Sequence, residues 1–118
     1  MKRLLLGCTA LAATFGAAAE EQSARAETLA YRICAETYVD RFAASGEAAK
    51  DVALAALGKC QSFYAEMLEA IREDLYTYAG SSVESRQRAD RWAQGSAETR
   101  KDVILQAMTA RAMEHKIK

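Results

Sequence analysis

Proline is absent from all 118 residues, and only six are glycine. The chain therefore lacks the strongest helix breaker and has few of the residues that loosen helices. Histidine occurs once, as His115, so at most one imidazole is available for acid–base or nucleophilic work. It stands beside Lys116 near the C-terminus and is read as a solvated terminal side chain. No CxxC or CxxCH spacing, glycine-rich phosphate loop or nucleophile elbow is present. Lys plus Arg balance Asp plus Glu at sixteen each, a neutral total that gives no nucleic-acid signature. The longest uncharged run, Leu4 to Ala19, has sixteen residues and falls short of the roughly twenty needed to span a bilayer.

That run has another meaning. Lys2 and Arg3 precede it, and Ala17-x-Ala19 closes it just before Glu20 and Glu21. Basic start, apolar middle and small residues at the cut are the order of a secretory signal, so residues 1–19 are read as a cleaved signal peptide. A second Ala-x-Ala, at Ala24 and Ala26, offers a later cut, which the charges of Glu20, Glu21 and Arg25 disfavour. Leu5-Leu6-Gly7-Cys8 has lipobox character, but the apolar stretch ahead of Cys8 is too short. The expected location is the periplasm or the exterior, and residues 20–118 are expected to form one helical domain.

The remaining cysteines, Cys34 and Cys60, form an even pair and so a disulfide in an exported chain. Residues 22–44 have apolar residues at helical steps, with Leu29, Ala30, Ile33, Cys34, Tyr38 and Phe42 as the expected inner face. Ser45-Gly46 stops that helix. A longer helix should follow from Glu47 to Tyr78, burying Val52, Ala56, Leu57, Cys60, Phe63, Tyr64, Met67, Ile71 and Leu75. Gly58 inside it marks a close helix contact or a kink. In an antiparallel hairpin turning at Gly46, facing residues have numbers summing to about 94, and Cys34 plus Cys60 meets that sum. The same register sets Tyr31 against Phe63 and Tyr64.

Two further helices are expected, 82–94 and 97–114, divided at Gly95, the first capped by Ser81-x-x-Glu84. The first of them is thinly apolar, with Val83, Ala89, Trp92 and Ala93; the other buries Val103, Ile104, Ala107 and Met108. The fold class is thus all-α: a disulfide-pinned antiparallel αα-hairpin (22–79) extended to a small bundle of three or four helices. The rival arrangement is one long broken helix reaching into solvent or a second subunit.

Charge is unevenly spread. Residues 20–79 hold eleven acids and six bases (net −5), and residues 80–118 hold five acids and eight bases (net +3). Glu66, Glu69, Glu73 and Asp74 form a carboxylate row that reads as solvated helix surface, and no metal or cofactor is assigned. Arg86, Arg88, Arg91, Arg100 and Lys101 are its basic counterpart; contact with a membrane surface is compatible with them but unsupported. Trp92 among those charges is read first as the anchor that docks its helix, with Trp92, Arg88 and Arg91 as the alternative partner contact. Tyr31, Phe63, Tyr64 and Met67 could line a ligand cleft, though aromatic stripes at helical spacing usually form core. In general look the chain resembles small exported helical proteins of bacteria, a resemblance carried by no particular residues. The expected role is non-enzymatic and structural or partner-binding, through an unknown protein partner or self-association without nucleic acid. A small helical module for an apolar ligand or lipid is the alternative.

Overall fold

The computed structural model describes residues 23–117, which form four helices and no strand. Helix α1, Arg25–Phe42, begins at a fixed point. The Asp74 carboxylate accepts hydrogen bonds from the Ser23 hydroxyl at 2.8 Å and from the Ala24 N–H at 3.2 Å. Ala24 takes the left-handed conformation, φ 52°. After α1, Gly46 supplies the positive φ of 88° that turns the chain, a value other residues rarely adopt.

Helix α2, Ala49–Lys59, and helix α3, Gln61–Tyr78, occupy the span expected as a single helix. The break falls at Cys60, not Gly58, and the backbone is satisfied across it. The Cys60 N–H donates to Ala56 and Leu57 carbonyls, while its own carbonyl accepts from the Phe63 and Tyr64 N–H groups. A Cβ at Gly58 would meet nothing within 4 Å, so that glycine serves neither close contact nor kink.

Helix α4, Val83–Ile117, runs unbroken through Gly95, correcting the expected division into 82–94 and 97–114. A glycine stop needs a neighbouring conformation that is more favourable than helix, and here packing decides otherwise. Ala89, Ala93, Ala97, Ile104, Met108 and Ala112 form one buried stripe continuous through the glycine. The cap is Ser82, one residue later than expected, whose hydroxyl accepts the Ser85 N–H at 3.1 Å.

Antiparallel pairing of α1 with α3 follows from Cys34–Cys60 and from Tyr31–Tyr64, whose rings meet edge-on at 5.8 Å. The disulfide has Cα atoms 6.0 Å apart and pins the hairpin in the expected register. Helices α3 and α4 are also antiparallel: Tyr64 donates to Glu98 at 2.6 Å, and Arg72 reaches Asp90 at 3.2 Å. Helix α1 therefore lies parallel to α4. Arg100 joins the start of α1, at Ser23 and Thr28, and Arg111 and His115 join its end at Asp40. The result is a disulfide-pinned helical bundle whose middle arm is bent at Cys60.

Alanine makes the core thin enough for this arrangement. Ala35, Ala53, Ala56, Ala93, Ala97 and Ala112 are fully buried and let the helices approach closely, while Tyr31, Met67, Met108, Val39 and Val52 fill the centre. One expectation about α1 is overturned. Its buried face is Tyr31, Ala35 and Val39, while Leu29, Ile33 and Phe42 of the predicted inner stripe are exposed. Cys34, half-buried, sits at the edge of the seam, and the buried face lies about one residue step from the predicted one.

Candidate functional site

The residues of the predicted ligand cleft are mostly core. Tyr31 and Met67 are fully buried and Tyr64 nearly so, packed as core; of the four residues only Phe63 borders an open space. The two tyrosines fill that region themselves through their edge-on contact, with the Lys101 ammonium 5.4 Å from the centre of the Tyr64 ring. Burial, reinforced by the Glu98 charge, pushes the Tyr31 phenol up to about 12. Burial and its hydrogen bond to Glu98 likewise raise Tyr64. The Tyr31 hydroxyl is buried with no hydrogen-bond partner.

Exposed apolar surface collects elsewhere, in a groove of about 1510 Å³. Its floor is the C-terminal end of α3, with Ile71, Leu75 and Tyr78. Leu29 of α1 forms one wall, and Trp92 and Val103 of α4 form the other, with Gly95 and Ser96 between them. Trp92 is 63 % exposed, Tyr78 88 %, Val103 58 % and Leu29 54 %. This corrects the reading of Trp92 as a docking anchor: small alanines attach α4 to the bundle, and the indole faces outward. Among the described residues, the hydrogen bonds and ion pairs joining α1 to α4 lie from Arg100 toward the C-terminus. On the α4 side the groove extends from Trp92, Gly95 and Ser96 past Arg100 to Val103 and Ile104.

The groove's charge is mainly positive. Arg25, Arg32 and Arg100 border it against the single acid Asp74. Arg32 pairs with Glu36 at 3.0 Å, and Arg100 donates at 2.7 Å to both the Ser23 carbonyl and the Thr28 hydroxyl. Burial lowers the Arg100 guanidinium from its ordinary value, opposed by the nearby Asp74 carboxylate. Arg88 and Arg91 are exposed on α4 near Trp92 but do not line the groove. Near the start of α4, Arg88 reaches Ser85, Arg86 lies over the Tyr76 ring at 5.6 Å, and Asp90 accepts from Arg72 and Tyr76.

Other candidates resolve into structural contacts. In the acidic row Glu69 pairs with Arg72 at 2.7 Å and Asp74 holds the start of α1, leaving Glu66 and Glu73 exposed. Among the described residues no three His, Cys, Asp or Glu side chains assemble as a metal-binding group. His115 is not a fraying tail: its Nε2 lies 2.8 Å from Asp40 in a network with Arg111. The Arg111 hydrogen bonds hold the Asp40 carboxyl well below the usual carboxylate range, with His115 contributing less. No described helix is long and apolar enough to cross a membrane. The segment read as a signal, with Cys8 and the cut after Ala19, lies outside the described residues.

Leu29, Tyr78 and Val103 are the groove residues that sequence reasoning did not mark as a site. The available signal was an excess: α1 carries more large apolar residues than one buried face accommodates. The chain matches no protein-family model, no curated protein and no solved structure at a significant level.

Proposed function

We propose that this is an exported, non-enzymatic helical protein that binds a partner protein through the groove between α1, α3 and α4. The observation that carries the reading is the exposed apolar set Trp92, Tyr78, Leu29 and Val103 around one open channel. Scattered exposed apolar residues are ordinary, but a contiguous set centred on Trp and Tyr is the composition of an interface. The volume of about 1510 Å³ exceeds the roughly 300–1,000 Å³ of small-molecule sites. A helix laid against the walls, with an apolar face and acidic flanks to meet Arg25 and Arg32, suits the groove's apolar lining and charge.

Export is supported by the order of the first nineteen residues and by the disulfide, which suits an oxidising compartment. A cut after Ala26 would remove Ser23 and Ala24, whose contacts with Asp74 and Arg100 fix the start of α1, and those contacts favour the cut after Ala19. Intact mass of protein from its native host checks this: a chain starting at Glu20 with two alkylated thiols only after reduction is expected, and a full-length chain with free thiols would contradict it.

The binding proposal is tested with a photo-crosslinking residue placed in turn at Trp92, Tyr78 and Leu54, the last an exposed α2 position outside the groove. One discrete protein adduct at positions 92 and 78, lost on Leu29→Glu and absent at 54, is the expected pattern. An adduct with a second copy identifies self-association as the use of the surface. Equal labelling at all three positions would overturn the proposal.

A further inference from the structure

A second, smaller groove runs along the other side of α1, and nothing in the partner reading uses it. Its volume is about 580 Å³, within the size range of small-molecule sites. The floor is the Cys34–Cys60 disulfide, and the walls are Ala30, Ile33, Tyr38 and Phe63. The residues from Ala30 to Arg41 that line it recur at three- and four-residue steps on one face of α1 over about 16 Å. Ile33, 51 % exposed, lies on a face of α1 turned away from the core. The break at Cys60 brings Lys59 and Phe63 to the opposite wall.

The polar groups at this groove are of one kind. Arg41 and Lys59 line it, no carboxylate does, and neither cation has a hydrogen bond or ion pair among the described residues. The Thr37 hydroxyl is spent on the Ile33 carbonyl at 2.8 Å. Apolar walls with two uncompensated cations favour a ligand that has an apolar body and a negative end, since each part then replaces water with a complementary surface.

We infer that the groove over the Cys34–Cys60 disulfide binds a single-chain anionic amphiphile, its alkyl chain along Ile33, Tyr38 and Phe63 and its head group at Arg41 and Lys59. Free fatty acids and single-chain phospholipids share this chemistry. The site is separate from the partner groove and does not depend on that proposal.

Calorimetric titration of the oxidised protein with dodecanoate, dodecyl phosphate and dodecanol, below their micelle concentrations, tests it. Saturable one-to-one binding is expected for at least one anion, the tighter of the two naming the head group, with dodecanol about tenfold weaker. Arg41→Gln with Lys59→Gln should remove that preference and leave dodecanol unchanged. Ile33→Asp should abolish binding of all three, with an unaltered circular dichroism spectrum confirming the fold. Trp92 fluorescence should stay constant throughout, because Trp92 lines only the other groove. Binding equal to that of dodecanol, an unaffected double variant, a Trp92 response or no saturable binding would each overturn the inference.

Discussion

Breaking the Cys34–Cys60 bond should cost this protein a large share of its stability. The bond closes a loop with a sequence separation of 26 residues. In the chain-entropy model such a closure is worth about 3.5 kcal/mol at 25 °C. A domain of this size has a total stability on the order of 5–14 kcal/mol, so the loss is a quarter or more of the whole. At about 4–8 °C per kcal/mol, the thermal midpoint should fall by roughly 20 °C. Reduction is the cleaner perturbation, because it severs the cross-link without deleting the buried Cys60 side chain. Circular dichroism melts with and without a phosphine reductant read the change, and Cys34→Ala with Cys60→Ala should agree with the reduced chain to within about 1 kcal/mol, the size of a small cavity. Both cysteines must be shown alkylated in the reduced sample. A midpoint shift under about 5 °C would refute the reasoning, implying that contacts such as Tyr31–Tyr64 already hold the hairpin closed in the denatured chain.

Tyr31→Phe removes a buried hydroxyl that has no partner, so stability by urea titration should rise by up to about 1 kcal/mol, whereas Tyr64→Phe loses the bond to Glu98 and should fall by about 1–2 kcal/mol. Because folding raises the Tyr31 phenol to about 12, its contribution is full below pH 10 and lost as pH rises toward 12. Alkaline unfolding followed by tyrosinate absorbance should show that window, and Tyr31→Phe should narrow it. Gly58→Ala has open space around the new methyl and a helical backbone, so a gain of about 0.5–1 kcal/mol in thermal or urea unfolding is expected. Asp40 titrates in the other direction: folding lowers its carboxyl, so its stabilisation is present above about pH 4 and disappears on acidification. Asp40→Asn should flatten the acid limb of the stability–pH curve and cost at most about 1 kcal/mol at pH 7, since the pair is well solvated.

The hairpin was legible because three local signals agreed: the Ser45-Gly46 turn, the cysteine register and the apolar periodicity of residues 52–75. Helix α1 was harder. Leu29, Ile33 and Phe42 outweigh Ala35 and Val39 in any reading by size, yet alanine faces inward where helices approach closely. The misread residues then turn out to border both grooves, Leu29 one and Ile33 the other. Gly95 looked like a helix stop, a local preference worth about 1 kcal/mol. The alanine stripe through residues 89, 93 and 97 was equally visible and carries more, since it buries one face of the helix continuously through the glycine. Trp92 stood out among the charges of its helix, but its direction depends on which face those alanines bury, and that is a tertiary property.

Trp92 is the chain's one tryptophan, so its fluorescence reports directly on the groove at the centre of the functional proposal. Acrylamide quenching of the oxidised protein over a dilution series is the most direct measurement. An indole 63 % exposed should emit to the red and be readily quenched in the dilute monomer, with protection appearing only on binding a partner or a second copy. A blue-shifted, quencher-resistant emission that persists at every dilution would contradict the open groove and remove the basis for a docking surface there.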